Sequence, residues 1–254
     1  MSNPATKVQP ESGFDLKEMT EARVGLGRFG AGVPTKASLA FLLDHARARE
    51  AVWASMNWVE VQRQLTELGF DVLSVESLAE DRGQYVRRPD LGRRLSDASV
   101  GRLEAVAEQS EGFDVVITVA DGLSSSAVDI NAVATVEAIV HRLRGFGFSL
   151  APIVLANQAR VALSDPIGEA LGARIAIMLI GERPGLSAAD SLGAYVTYSP
   201  KTGTPDSRRN CVSNIREGGL PAKLAAEGIV DLVVAITKAG LSGVGLKDTI
   251  MKLK

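Results

Sequence analysis

Five polar clusters carry the chemistry this sequence could support. They are Asp121-Gly122 with Ser124, Ser125 and Ser126; Asn157-Gln158; Gly181-Glu182-Arg183-Pro184-Gly185; Ser199-Pro200; and the stretch KTGTPDSRRNCVSNIREGG at 201–219. Each of the first four directly follows a short apolar run: DVVITVA (114–120), APIVLA (151–156), RIAIMLIG (174–181) and AYVTYS (194–199). Any one of them reads as an ordinary turn, because small and polar residues terminate strands. Four at the ends of successive strands would share one edge of a parallel sheet, where such folds bind ligands. The 201–219 stretch is expected to be a long loop at the same edge, and loops of that length are often functional or disordered. It holds the sole cysteine, Cys211, with Ser213, Asn214, Arg216 and Gly218-Gly219. As a nucleophile Cys211 would need a base, and neither His45 nor His141 is near in sequence; a free cysteine ordinarily packs as a small hydrophobe.

Several other patterns lack their context. Gly25-x-Gly27-x-x-Gly30 has the letters of a dinucleotide fingerprint, but only Ala22-Arg23-Val24 precede it and the helix starts several residues later. Gly122-Leu123-Ser124-Ser125-Ser126 has serine where a nucleophile elbow needs glycine. Arg87, Arg88, Arg93 and Arg94 flank Pro89-Asp90, and either anion binding or plain surface charge accounts for them. One Cys and two His leave no multi-cysteine or histidine-built metal centre. The near balance of 28 basic and 30 acidic residues, with 5% aromatics, argues against nucleic-acid binding. No apolar run approaches the ~20 residues of a bilayer span. The N-terminus lacks a signal-peptide pattern. The expected location is therefore the cytoplasm.

The elements that must position these clusters follow from periodicity. Helices are expected from Thr35 as N-cap (Leu39, Leu42, Leu43, Ala46), over 56–68 (Val59, Val61, Leu65, Leu68) and after Ser96 or Asp97 (Val100, Leu103, Val106). Short strands are expected at 72–76 and 84–87. From residue 113 the continuous apolar runs suit strands covered on both faces. Crossover helices fit 126–144, 166–172 with Pro166 in its first turn, and 221–238. The expected fold is α/β: a Rossmann-like, mostly parallel, doubly wound sheet preceded by a mainly helical N-terminal subdomain. The expected division is a largely disordered tail over 1–21, a helical subdomain over 22–110 and a Rossmann-like domain over 111–254.

Segments across residues 22–240 resemble the small (light) subunit of ethanolamine ammonia-lyase. They are Gly27-Arg28 through FLLDHARARE (41–50), RRPDLGRRL (87–95), ADGLSSSAV (120–128), RVALSDPIGEALGA (160–173), LIGERPGL (179–186), the YSP of 198–200 and NCVSNIREGG (210–219). GERPGL and CVSNIREGG in that order are the specific part. The resemblance implies one chain of an adenosylcobalamin-dependent lyase that converts ethanolamine to acetaldehyde and ammonia by a radical route. A large TIM-barrel subunit would bind the substrate, and the cofactor would sit between the two chains. The resemblance assigns cobalamin contacts to Val161, Glu182 and Cys211, and no catalytic or metal-ligating residue to this chain. The D-x-H-x-x-G pattern that gives cobalt a histidine is absent around His45 and His141. Two other readings remain: a stand-alone nucleotide- or nicotinamide-dependent α/β enzyme, and a non-catalytic regulatory subunit.

Overall fold

The structure is a computed structural model that describes residues 19, 20 and 22–246. Apart from residues 19 and 20, the expected tail over 1–21 lies outside the described residues.

Helix α1 (Thr35–Trp53) starts after Pro34, whose side chain makes no capping bond, so Thr35 is the first helical residue rather than the cap. Its leucines Leu39, Leu42 and Leu43 stay exposed, together with Phe29 and Val33 just before it. Helix α2 (Trp58–Glu67) is capped by Asn57 and buries Val61 and Leu65. Strand β1 (Val72–Glu76) follows. The strand expected at 84–87 is instead helix α3 (Arg82–Arg87), because the Asp81 side chain accepts the Gln84 N–H at 2.7 Å and nucleates a turn. Helix α4 (Asp97–Ala107) has Ser96 as its cap and Leu103 buried.

Strand β2 (Val115–Ala120) leads into helix α5 (Ser125–Gly145), capped by Ser124. Strand β3 (Ile153–Asn157) precedes helix α6 (Ser164–Ala170). Strands β4 (Ile175–Gly181), β5 (Leu192–Tyr198) and β6 (Arg209–Ile215) are followed by helix α7 (Ala222–Ala239), which ends at Gly240 with φ 66°. Glycine adopts that left-handed conformation without the Cβ clash other residues suffer.

The sheet is mixed and six-stranded, in the order β1-β3-β2-β4-β5-β6. β1, β3, β2 and β4 run parallel, while β5 and β6 are antiparallel to their neighbours. The expectation of a fourth parallel strand at 194–199 is thus corrected. Only residues 182–191 join β4 to β5, with no helix among them, too short for a parallel crossover. Continuous hydrophobicity reported burial on both faces, not strand direction. The loop expected over 201–219 is corrected as well: its middle is β6, pairing with β5 from Arg209 opposite Thr197 to Ile215 opposite Leu192.

Alternate strand residues feed two cores. Ile117, Ile177 and Leu155 pack with Val136, Ile139, Ile229 and Val233 of α5 and α7 on one face. Val116, Ala156, Met178 and Ile180 pack with Leu103 and Ile167 of α4 and α6 on the other. Each fully buried branched side chain contributes roughly 1.5–3 kcal/mol, so this double coverage holds the strand ends firmly.

Candidate site at the carboxyl ends of the parallel strands

β2, β3 and β4 end beside one another, and their following residues surround a recess of about 440 Å³. Gly122 and Leu123 come from the β2 end, Arg160 and Val161 from the β3 end, and Ile180 through Arg183 from the β4 end. Tyr85 of α3 and Tyr195 of β5 complete the wall. A larger open groove of about 970 Å³ runs along α5 past Phe70, His141 and Phe146 to the start of α7, and shares no lining residue with this recess.

The β2 and β4 ends are locked by glycine. The Leu123 N–H donates to the Gly181 carbonyl at 2.9 Å. A Cβ on Gly122 would stand 2.1 Å from that same carbonyl oxygen. This close approach brings Glu182 to the rim. The Glu182 backbone N–H donates to the Ser191 carbonyl at 2.9 Å. Its Oε2 accepts the Ser191 hydroxyl and, at 3.3 Å, the Asn214 N–H. Asn214 sits at a bulge in β6 with φ 61°, a conformation asparagine tolerates better than most residues.

Val161 opens a 3-10 turn (Val161–Leu163) after β3 and packs against the core shared with α4 and α6. The loop before it hangs on Asp121. Asp121 Oδ1 accepts the Ala159 N–H at 3.0 Å, while Oδ2 pairs with Arg82 at 3.0 Å. Burial pushes the Asp121 carboxyl up to about 6, against the opposing pull of Arg82 and the neighbouring N–H groups. Arg82 also reaches the Val52 carbonyl at 2.6 Å, tying α1 to this edge.

Cys211 is exposed and lies opposite Tyr195 in the β5–β6 register. Desolvation by surrounding protein pushes its thiol up; hydrogen bonding to Tyr195 pulls it partly back, and the charge of Glu182 adds to the rise. The Tyr195 phenol is pushed up to about 12, by desolvation first and then by Cys211. The site therefore offers no poised thiolate. Among the described residues, no three His, Cys, Asp or Glu converge into a set able to hold a metal ion, and no helix is long and apolar enough to cross a membrane.

Comparison with known proteins decides the family. The family model for ethanolamine ammonia-lyase light chain matches residues 11–247. This chain belongs to that family. An ethanolamine ammonia-lyase small subunit from Rhodopseudomonas palustris is 50% identical over 93% of this chain and 90% of its own length. Another from Azotobacter vinelandii is 48% identical over 92% of this chain and 87% of its own length.

In this light-chain member the structure brings Val161 and Glu182 to one recess. Cys211 is outside its wall and reaches it through Tyr195. Residues 25–30 form no strand, and the helix after them begins only at Thr35, so the dinucleotide fingerprint has no structural counterpart. Tyr85, Arg160 and Tyr195 escaped the sequence reading as site residues. Arg160 lay two positions beyond Gln158, at a strand end already singled out. Tyr85 was hidden by the mistaken strand at 84–87.

Proposed function

We propose that this chain is the small subunit of an ethanolamine ammonia-lyase, and that its recess forms one wall of an adenosylcobalamin site completed by a larger catalytic subunit. Family membership and the shared recess of Val161 and Glu182 carry the reading. The residues fit the group. A corrin presents a broad apolar face with an amide rim. The recess offers Val161, Leu123 and Ile180 for contact, the Glu182 carboxylate as acceptor, and Tyr195 and Arg160 as donors. Its volume suits one side of a large cofactor rather than the whole.

When bound, adenosylcobalamin supplies the radical chemistry that turns ethanolamine into acetaldehyde and ammonia. This chain's residues bind and shield. Val161 would give apolar contact to the group, Glu182 would accept an amide N–H from it, and the closed β2–β4 junction would keep water from one side. We infer a Rossmann-like, doubly wound core for the parallel part of the sheet. Its support is that α4 and α6 cover one face while α5 covers the other. The exposed Leu26, Phe29, Val33, Leu39, Leu42 and Leu43 support a second chain lying against this one, since apolar surface of this extent marks an interface.

The test is reconstitution. The chain alone is expected to be inactive with adenosylcobalamin, and active together with a large subunit. Turnover by the lone chain would overturn the division of labour. Full turnover by the large subunit without this chain would favour a regulatory role. Glu182→Ala is expected to weaken cobalamin binding by the complex about tenfold or more, the loss of a charge-assisted hydrogen bond, with assembly intact.

A further inference from the structure

Arg160 is built into the recess with more care than a bystander needs. Its backbone N–H donates to the Gly92 carbonyl at 2.7 Å. Its guanidinium carbon lies 4.1 Å from the centroid of the Tyr85 ring, and Nη2 donates to the Tyr85 carbonyl at 3.0 Å. Tyr85 is itself fully buried and held by its hydroxyl, which donates to the Ala159 carbonyl at 3.0 Å. Gly92 leaves the space this stack requires. A Cβ there would stand 3.0 Å from Arg160 Cγ, 3.0 Å from the Gln158 carbonyl oxygen and 3.1 Å from Tyr85 Cδ2. Gln158, two residues before Arg160, is held at φ 52°, a costly conformation for a non-glycine residue and one that gathers at ligand sites.

This apparatus leaves a cation without a counter-ion. Among the described residues no carboxylate pairs with Arg160, because the nearby Asp121 is taken by Arg82. Arg160 Nε is buried and has no hydrogen-bond partner. Burial pulls the guanidinium down from its ordinary value, and Arg82 and Arg93 add repulsion that Tyr85 and Asp121 offset. Nη1 of the same guanidinium makes no hydrogen bond among the described residues and is not buried, so it is the end of the fork that a ligand acceptor in the recess can reach. Arg183 also lines the recess, from the β4 end next to Glu182. The recess therefore has a cationic side at Arg160 and an acceptor side at Glu182.

We propose that Arg160 binds the phosphodiester anion of the cofactor's nucleotide arm, leaving the corrin's amide rim to Glu182. The inference rests on the cobalamin-wall reading above and extends it to one group of the cofactor. A permanently charged planar fork matches a phosphate in charge and shape, whereas a neutral amide needs neither.

The experiment is equilibrium dialysis of the assembled two-chain enzyme, read by corrin absorbance, with cobalamin and with cobinamide, the same corrin lacking the nucleotide arm and its phosphate. Arg160→Gln is expected to weaken cobalamin binding about tenfold or more while changing cobinamide binding less than about twofold. Equal losses for both ligands would assign Arg160 to the corrin itself and overturn the proposal; no loss for either would do the same. Should Arg160→Gln fail to assemble, Arg160→Lys keeps a cation and an aliphatic stem beside Tyr85 but loses the planar fork. It is expected to give a smaller loss, again confined to cobalamin, and a flat result or a loss shared equally with cobinamide would count against the proposal. A parallel measurement on the large subunit alone separates the two levels. Cobalamin binding as tight as in the complex would end the cobalamin-wall reading, and this inference with it. Weaker binding there, with no ligand-selective loss in either arginine variant, would end this inference alone.

Discussion

Gly193 lies directly beneath the side chain of Glu182: a Cβ on Gly193 would stand 2.9 Å from Glu182 Oε1 and 3.0 Å from Cγ. The backbone of Gly193 has no left-handed φ, so the missing side chain serves space alone. Gly193→Ala can be accommodated by swinging the flexible glutamate, which spares the fold but moves the carboxylate. We expect Gly193→Ala to lower cobalamin affinity of the complex about three- to tenfold, with a melting temperature within a few degrees of the parent. Unchanged affinity would mean that the position of Glu182 does not matter to binding.

Arg209 holds the β5–β6 hairpin to α6. It forms a two-pronged pair with Asp165, at 2.6 and 2.8 Å, and both side chains are almost wholly buried. Removing one partner strands the other charge in the interior, at a cost of about 3–5 kcal/mol. Arg209→Ala is expected to lower the denaturation midpoint sharply and to speed alkylation of Cys211 as the hairpin loosens. Arg209→Lys should recover only part of the stability, since an ammonium cannot span both carboxylate oxygens. A midpoint unchanged by Arg209→Ala would remove the clamp from the account.

The parallel part of the fold was legible because its rules are local. Runs such as RIAIMLIG and the stripe Ala225, Ile229, Val233, Ile236 declare a buried strand and a one-faced helix, and both occur where expected. The hairpin was not legible, because antiparallel β5 is as apolar as its parallel neighbours and β6 carries polar residues at an exposed edge. Helix α1 misled differently. Its leucines repeat at helical spacing but cover nothing within this chain, so periodicity located the helix without locating its partner.

At the site, the strand-end rule found Asp121, Gln158 and Glu182, because position along a strand is readable from hydrophobicity alone. Tyr85 and Arg160 come together across 75 residues, through a glycine at 92 whose role is to be absent from the space between them. No local pattern announces such a contact.

Asp121 makes stability depend on pH. Its carboxyl is raised from 3.8 to about 6, so the folded chain holds this proton more tightly than the unfolded chain. The contribution is fully present below about pH 4 and is lost as pH rises through about 6. In Asp121→Asn, which keeps the shape of the neutral acid, that slope disappears. Between pH 4 and pH 6.5 the parent is expected to lose up to about 2–3 kcal/mol relative to the variant. Denaturant titration at several pH values measures this. A constant gap would show that Asp121 does not titrate in that window.

Gly181 closes the junction that supports the recess. A Cβ there would stand 2.1 Å from the Ser124 carbonyl oxygen and 2.5 Å from that of Asp121. Both are backbone atoms, and those of Ser124 are anchored in turn by its hydroxyl, which donates to the Ala189 carbonyl at 2.6 Å. Unlike Gly193, this glycine faces nothing that can swing aside. Gly181→Ala is expected to cost more than about 2 kcal/mol and to disturb cobalamin binding together with stability. Near-parental unfolding would show that the strand ends part more easily than their contacts imply.

Cys211 provides a reporter that needs no turnover. Its thiol is pushed up from the ordinary value, by desolvation first, so alkylation is expected to be slow at neutral pH and to accelerate only above the range of an ordinary cysteine. Tyr195→Phe removes the hydrogen bond that favours the thiolate and should slow the reaction further at a given pH. Because Tyr195 lines the recess and Cys211 stands opposite it in the sheet, cobalamin bound to the complex is expected to slow alkylation several-fold more. Mass-spectrometric labelling with and without cobalamin reads the effect directly. Protection by cobalamin in the parent but not in Glu182→Ala would tie the reporter to the recess; equal labelling in every state would separate Cys211 from it.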